Sequence, residues 1–295
     1  MKIEIKGVEF GYSSSPVLKN IDLKINGPQL VSIIGPNGVG KSTLIHCINK
    51  ILSPTKGTVL VDDKDVSGTS LKELALKVGY VPYSANDAFP LSVVDTVLMG
   101  RHPHSNWKSL DSDLDVVYET LKLINIEHLS MRSFDELSAG QHQKVMIARG
   151  LVQEPEILLL DEPTSNLDIK HQMEVTRILR NLSQEKDILV IMISHDLNIA
   201  AKYSDNMIML SEGSIYSVGK PSEVLTKENI KAVYGVDSEV VMSHGRPHII
   251  MLDEEFDDRI PPLRDDCFVS GNSHVEDSMI RDTQVKNLFG TTDSP

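Results

Sequence analysis

The chain has 295 residues, enough for one large domain or two small ones, and its composition is ordinary for a globular protein, 40% hydrophobic and 24% charged. A net charge of −13 argues against a general nucleic-acid binder, and no apolar run approaches the roughly 18–20 residues that cross a bilayer. Cys47 and Cys267 form neither a disulfide framework nor a metal-binding spacing, and the N-terminus shows no secretory segment. These features predict a cytoplasmic protein.

The sequence predicts an α/β body in which strands and helices alternate. Apolar residues at helical spacing follow Lys41 and continue to Ser53-Pro54. The runs 157–160 and 188–193 are continuously apolar, which is typical of strands covered on both faces. The predicted strands span residues 2–10, 30–34, 58–61, 77–81, 157–160 and 188–193, followed by a hairpin of 206–210 with 214–218.

The chain is predicted to divide into a body, residues 1–252, and a tail, residues 253–295. Between about 84 and 154 the body loses its strand pattern, which indicates a helical insertion. The tail holds 11 acidic and four basic side chains and lacks apolar periodicity, so we expect it to lie outside the core and to be disordered. Within it, Ser273 and Glu276 have capping-box spacing, and Gly290 could end a short helix there.

A glycine-rich phosphate loop gives the strongest local signal. It has the GxxxxGK[ST] pattern between a buried strand and an amphipathic helix, the context that supports this motif. Its glycines allow backbone N–H groups to wrap a triphosphate, Lys41 can neutralise phosphate oxygens, and Ser42 can ligate magnesium. The motif reads Gly35-Pro36-Asn37-Gly38-Val39-Gly40-Lys41-Ser42.

Two consecutive carboxylates end a buried apolar strand and complete the predicted site. Asp161 follows the run 157–160, as in a Walker B strand, and Glu162 comes directly after it. One carboxylate can hold magnesium through its water shell, while the next polarises the attacking water.

At these motifs the chain resembles the ATP-binding-cassette (ABC) ATPases. Further segments are similar to motifs of that family, in family order over roughly residues 1–250. The resemblance implies an ABC cassette of the P-loop NTPase fold, with a mainly parallel RecA-like core, an antiparallel β subdomain and an inserted helical subdomain. The segments are Leu137-Ser138-Ala139-Gly140-Gln141 (signature), Ser165-Asn166-Leu167-Asp168 (D-loop), His195 (switch histidine) and Tyr12 (adenine stacking).

The resemblance also implies that ATP and Mg²⁺ bind between two cassettes facing head to tail. Glu162 and His195 would be catalytic, and Ser42 and Asp161 would hold the metal. A helix expected over Gln143–Leu151 would point its N-terminus at the phosphate of the other subunit. The expected ATP-binding residues are Tyr12, Gly35, Pro36, Asn37, Gly38, Gly40, Lys41, Ser42, Thr43, Ser138, Gly140, Gln141 and Asp168.

One position departs from the family pattern. Where the cassettes carry a glutamine after the strand ending in Val81-Pro82, this chain has Tyr83, whose hydroxyl offers no amide carbonyl to a hard cation. Either Tyr83 points elsewhere and a water fills the gap, or Asn86 or Asp87 reaches in. We therefore expect hydrolysis slower than the family norm and more dependent on a partner.

Several segments are similar to the ATPase subunits of iron–siderophore, haem and cobalamin importers. They are 89–102, 168–172 and the ending from 235 to 247. That resemblance implies a homodimer on the cytoplasmic face of a membrane, bound to a multi-span permease and served indirectly by an extracytoplasmic substrate-binding protein, with no nucleic acid.

Other members of the superfamily remain as alternatives to be weighed. The alternative function is a soluble ABC ATPase in cofactor or iron–sulfur assembly, and a nucleotide-sensing module without turnover is a further one. A chromosome or repair ATPase would need a long coiled coil, and a translation factor would usually hold two cassettes; the sequence favours neither.

Overall fold

The computed structural model describes residues 1–12, 15–83, 90–104 and 110–252. The acidic tail, Cys267, the candidate helix near Ser273, and Asn86 and Asp87 lie outside these ranges. The strands described are β1 (Lys2–Tyr12), β2 (Ser15–Asn26), β3 (Gln29–Ile34), β4 (Lys56–Val61), β5 (Lys64–Asp65), β6 (Val78–Val81), β7 (Ile157–Leu160), β8 (Leu189–Ile193), β9 (Asn206–Ser211), β10 (Ser214–Gly219), β11 (Ser238–Ser243) and β12 (Arg246–Met251). The α-helices described are α1 (Lys41–Ile48), α2 (Leu71–Ala75), α3 (Val93–Leu98), α4 (Leu110–Leu123), α5 (Ala139–Leu151), α6 (Ile169–Glu185), α7 (Leu197–Tyr203), α8 (Pro221–Val224) and α9 (Lys227–Tyr234).

A six-stranded sheet in the order β10-β9-β3-β8-β7-β6 forms the centre of the body. The strands from β9 to β6 run parallel, and β10 pairs antiparallel with β9. Successive residues of a strand point to opposite faces, so β7 and β8 contribute to two apolar cores at once. One core contains Ile157, Leu159, Leu189, Ile191 and Ile193, and the other contains Leu158, Leu160, Val190 and Met192.

The two faces of this sheet are covered by different structures. A four-stranded antiparallel sheet, in the order β2-β1-β4-β5, shares the first core with α1. Helices α3 to α6 share the second core. The β11–β12 hairpin packs against α7, with Ile249 buried in a third apolar cluster. The phosphate loop lies between β3 and α1, and the Ser42 hydroxyl at the start of α1 contacts Asp161 at the end of β7.

Helices fill the described part of the segment 84–154, for which the sequence predicts a helical insertion. Residues 90–104 and 110–154 contain α3, α4 and α5 together with short 3₁₀ turns, and no strand. No helix in the described part of the chain combines the length and the apolarity that crossing a membrane requires.

Two helix boundaries differ from those expected. The helix after the phosphate loop ends at Ile48 rather than near Ser53, because Lys50 takes a left-handed φ of 58° that interrupts the helix. The helix expected from Gln143 begins four residues earlier, because Ser138 and Gln141 form a reciprocal capping box. Gly140 and Gln141 therefore lie in the first turn of α5.

Two long elements were not predicted, β2 and α6. The buried residues of β2 alternate from Ile21 to Ile25, but register shifts in its pairing with β1 interrupt the pattern. Helix α6 buries Val175, Leu179 and Leu182 at helical spacing after the N-cap Asp168.

Candidate functional site

Two glycines of the phosphate loop adopt backbone conformations that other residues rarely take. Gly35 and Gly40 have φ values of 146° and 104°, and Gly40 caps α1 without a side-chain hydrogen bond. A Cβ on Gly35 would stand 2.4 Å from the Leu210 carbonyl oxygen, and one on Gly40 would stand 2.8 Å from Leu18 Cδ2. The loop therefore presents backbone N–H groups at the start of α1, the arrangement that binds anions.

Lys41 is held inside this loop. Its ammonium group donates to the carbonyl oxygens of Gly35 and Pro36, both at 2.8 Å, and the residue is only 5% exposed. Burial lowers the pKa of Lys41, while the charges of Glu162 and Asp161 act in the opposite direction. The positive charge is thus poised within the loop that would hold a phosphate.

Ser42 and Asp161 meet at the end of β7. The Ser42 hydroxyl donates to Asp161 Oδ1 at 2.9 Å. Burial raises the pKa of Asp161, and the hydrogen bond from Ser42 opposes that shift. A buried carboxylate beside a hydroxyl supplies the hard oxygen ligands that Mg²⁺ prefers, so the residues present fit this ion.

Glu162 and His195 form a pair beside this carboxylate. His195 Nε2 lies 2.5 Å from Glu162 Oε1, and the Ser165 hydroxyl donates to Glu162 Oε2 at 3.0 Å. Glu162 itself has a left-handed φ of 50°, which turns the chain sharply after the buried strand. Both carboxylate oxygens are oriented, as expected of a group that accepts a proton from water.

An open cavity of about 540 Å³, large enough for a nucleotide, is lined by Lys41, Ser42, Glu162 and His195 among others. Tyr12 lies at its rim, 55% exposed, with its ring edge-to-face on Phe10 at a centroid distance of 5.0 Å. An exposed aromatic face at this position can stack on a base. The lining residues are Tyr12, Val17, Asn37, Gly38, Gly40, Lys41, Ser42, Thr43, Tyr83, Glu162 and His195.

Six of the expected ATP-binding residues do not line this cavity. Gly35 and Pro36 belong to the phosphate loop, where their carbonyl oxygens accept hydrogen bonds from Lys41. The other four lie at the starts of α5 and α6. Ser138 caps α5 and forms the capping box with Gln141, Gly140 is buried in the first turn, and Asp168 caps α6 through the His171 backbone N–H. One chain thus assembles the phosphate loop, both carboxylates and the histidine in one place, and the signature residues and Asp168 in another.

Tyr83 lines the cavity, 49% exposed, and its hydroxyl accepts a hydrogen bond from Asn166 Nδ2 at 3.4 Å. The alternatives that invoke Asn86 or Asp87 fall outside the described residues and stay predictions. The expectation that hydrolysis is slower than the family norm also stays a prediction.

Sequence reasoning missed several residues around the loop. Val17 reaches the cavity from β2, and Ser165 orients Glu162. Tyr234, at the end of α9, makes a hydrogen bond with the backbone of Gly35, and burial raises the pKa of its hydroxyl to about 12. The D-loop motif pointed to Ser165, but nothing near Tyr234 in the sequence indicates this long-range contact.

Sequence comparison places these features in a known context. The profile of the ABC transporter family matches residues 18–165. The chain is 49% identical over 252 residues to an uncharacterized ABC transporter ATP-binding protein of Methanocaldococcus jannaschii, covering 85% of this chain and 98% of that one. It is 39% identical to the hemin import ATP-binding protein HmuV of Thermobifida fusca (82% and 84% covered) and 36% identical to the ferric enterobactin transport ATP-binding protein FepC of Escherichia coli (77% and 84% covered).

Solved structures agree in fold. An inward-facing ABC transporter assigned to the metal-chelate type superposes with a TM-score of 0.75 at 28% identity, over 85% of this chain and 97% of that one. A dimeric bacterial ABC transporter cassette superposes with a TM-score of 0.66 at 30% identity, over 74% and 98%. The expected cassette fold, with its parallel core, antiparallel sheet and helical insertion, is confirmed.

Proposed function

Because this chain belongs to the ABC transporter family of ATP-binding proteins, we propose that it is the ATP-hydrolysing subunit of an importer for iron–siderophore, haem or cobalamin-like chelates. The observation that carries the hydrolytic part is the Glu162–His195 pair, which faces the same cavity as the phosphate loop. The cargo class is supported by relatives that serve hemin and ferric enterobactin transport.

In this proposal ATP lies in the cavity with its phosphates on the loop. Lys41 and the α1 N-terminus neutralise the phosphate charge, and Tyr12 stacks on the adenine. Glu162 accepts a proton from the attacking water, and His195 orients that water and the terminal phosphate. Ser42 and Asp161 would hold Mg²⁺, which supplies further neutralisation of charge on the phosphates.

The signature residues and Asp168 act on a second copy of the chain. Ser138, Gly140, Gln141 and Asp168 lie away from their own cavity, so they complete the site of the facing subunit in a head-to-tail homodimer. The capped N-terminus of α5 then points at the bound phosphate. A solved cassette that shares this fold is dimeric, which supports pairing of two copies.

The dimer would work on the cytoplasmic face of a membrane, bound to a multi-span permease. An extracytoplasmic substrate-binding protein would deliver the chelate to that permease and would contact this chain only indirectly. Nucleic acid is not an expected partner, since the chain carries a net charge of −13.

To test the proposal, a tagged Glu162→Gln variant is incubated with Mg-ATP and used to capture partners from detergent-solubilised membranes. The captured proteins are identified by mass spectrometry. The same variant carrying Lys41→Ala is the matched control, because it should not retain ATP. Recovery of a multi-span permease only with the single variant supports the importer. Recovery of soluble proteins alone would favour an assembly ATPase instead and remove the membrane role.

A further inference from the structure

Three polar contacts and the backbone between Ser165 and Asn166 connect Tyr83, just after β6, to the switch histidine. The Tyr83 hydroxyl accepts from Asn166 Nδ2, the neighbouring Ser165 donates through its hydroxyl to Glu162, and Glu162 pairs with His195. The Ser165 backbone N–H also donates to the Glu162 carbonyl oxygen at 3.2 Å. We propose that Tyr83 is a positioning residue: through Asn166 it holds the 162–166 turn so that Ser165 orients the Glu162 carboxylate.

The backbone of this turn explains why a tether is useful. Glu162 and Asn166 both have left-handed φ values, 50° and 62°. Glutamate tolerates this region poorly and asparagine better, so contacts outside the turn must help to fix its conformation. Asn166 fits that role because its amide donates to Tyr83 while its backbone accepts the left-handed conformation.

The side chain at position 83 is suited to this contact. A phenol has no amide carbonyl for a hard cation, but its oxygen accepts a hydrogen bond and its ring reaches across the cavity edge. The hydrogen bond from Asn166 to Tyr83 is long, at 3.4 Å, and therefore weak. We expect its loss to increase local opening of the 162–166 turn by a modest factor and not to unfold the chain. The Tyr83 hydroxyl therefore helps to orient the 162–166 turn.

Hydrogen exchange of the nucleotide-free chain tests the tether directly. Tyr83→Phe keeps the ring and removes the hydroxyl, and we expect amide exchange in peptides covering 163–168 to rise about 2–10-fold. Tyr216→Phe, at a residue of similar exposure on β10, is the control and should leave this segment unchanged. Unchanged exchange in Tyr83→Phe overturns the proposal.

A double-mutant cycle tests the pair in turnover, and this part rests on the proposed ATPase function. We expect each single variant, Tyr83→Phe or Asn166→Gly, to lower kcat about 2–10-fold and to change KM less than twofold. Glycine is chosen at position 166 because it tolerates the left-handed φ. The double variant should be no slower than the slower single variant. Losses that multiply, or a KM effect alone, would overturn the tether.

The two hypotheses fail in different ways. If wild-type chain hydrolyses ATP no faster than Glu162→Gln, the proposed ATPase function fails, and the exchange measurement still decides whether Tyr83 holds the turn. If wild-type turnover depends on Glu162 but exchange is unaffected by Tyr83→Phe, only the tether fails.

Discussion

Gly140 lies directly against the imidazole ring of His171. A Cβ atom on Gly140 would stand 2.5 Å from His171 Cδ2 and 2.8 Å from Cγ. Asp168 holds that ring, since its Oδ1 atom lies 2.8 Å from Nδ1 and also accepts from the His171 backbone N–H at 2.9 Å. The signature segment and the segment after β7 are therefore in contact within one subunit.

This contact predicts how Gly140→Ala affects stability. Alanine normally stabilises a helix position by about 0.5–1 kcal/mol relative to glycine, but here its methyl group must displace the His171 ring from Asp168. We expect the gain to be absent in the wild-type background and to appear in a His171→Ala background, as measured by urea unfolding. An equal gain in both backgrounds would contradict the contact.

The same contact changes the meaning of a Gly140→Asp experiment. The carboxylate would lie where the phosphate of a facing subunit is proposed to bind, but it would also push against His171 in its own chain. Loss of ATPase activity in Gly140→Asp alone therefore does not separate the two causes. A comparison of Gly140→Asp with the double variant Gly140→Asp/His171→Ala separates them, because the double variant relieves only the contact within the chain.

Glu162→Gln is expected to bind ATP and hydrolyse it at least about 100-fold more slowly. The amide keeps the shape of the side chain but cannot accept a proton from water. Nucleotide affinity should change little, because phosphate binding depends on the loop and Lys41. Phosphate release and ATP binding are measured separately, with Glu239→Gln on the exposed side of β11 as the control. Hydrolysis within tenfold of wild type would remove Glu162 from its proposed role.

Local signals in the sequence were enough to predict the central sheet and the phosphate loop. Apolar runs such as 157–160 mark strands covered on both faces, and the loop motif stands between its strand and helix. Contacts between distant residues were not predictable in this way. The packing of Gly140 on His171 and the bond from Asn166 to Tyr83 depend on how α5, α6 and β6 come together, which no local pattern encodes.

Arg101→Lys is expected to lower the free energy of unfolding by about 1–3 kcal/mol. The Arg101 guanidinium, on a side chain only 11% exposed, donates to Asp113 at 2.8 Å, to the Val152 carbonyl at 2.9 Å and to Glu154 at 2.7 Å. A lysine ammonium is a single point and cannot reproduce this fork. Urea unfolding measures the loss, and Arg177→Lys on the exposed side of α6 should change stability by less than about 0.5 kcal/mol. Equal effects at both positions would contradict the fork.

We expect His142 to make the folded chain less stable in mild acid. It lies on α5 with its ring against Phe134 at a centroid distance of 4.0 Å, and burial, with a smaller effect of Arg149, lowers its pKa below the ordinary value of 6.5. As the pH falls through 6.5, the folded chain binds fewer protons than the unfolded chain. The free energy of unfolding therefore decreases at acid pH because of this residue, and it is unaffected by this residue at higher pH.

His142→Phe should therefore lose less stability than wild type when the pH falls from about 7.5 to about 5.5. We expect this difference because only the wild-type chain carries an imidazole whose protonation is opposed by burial in the folded state. Urea unfolding at both pH values measures it, and a phenyl ring preserves the contact with Phe134. His248→Phe, at an exposed position of β12, should follow wild type. If His142→Phe also follows wild type, the half-buried imidazole is not the source of the acid sensitivity.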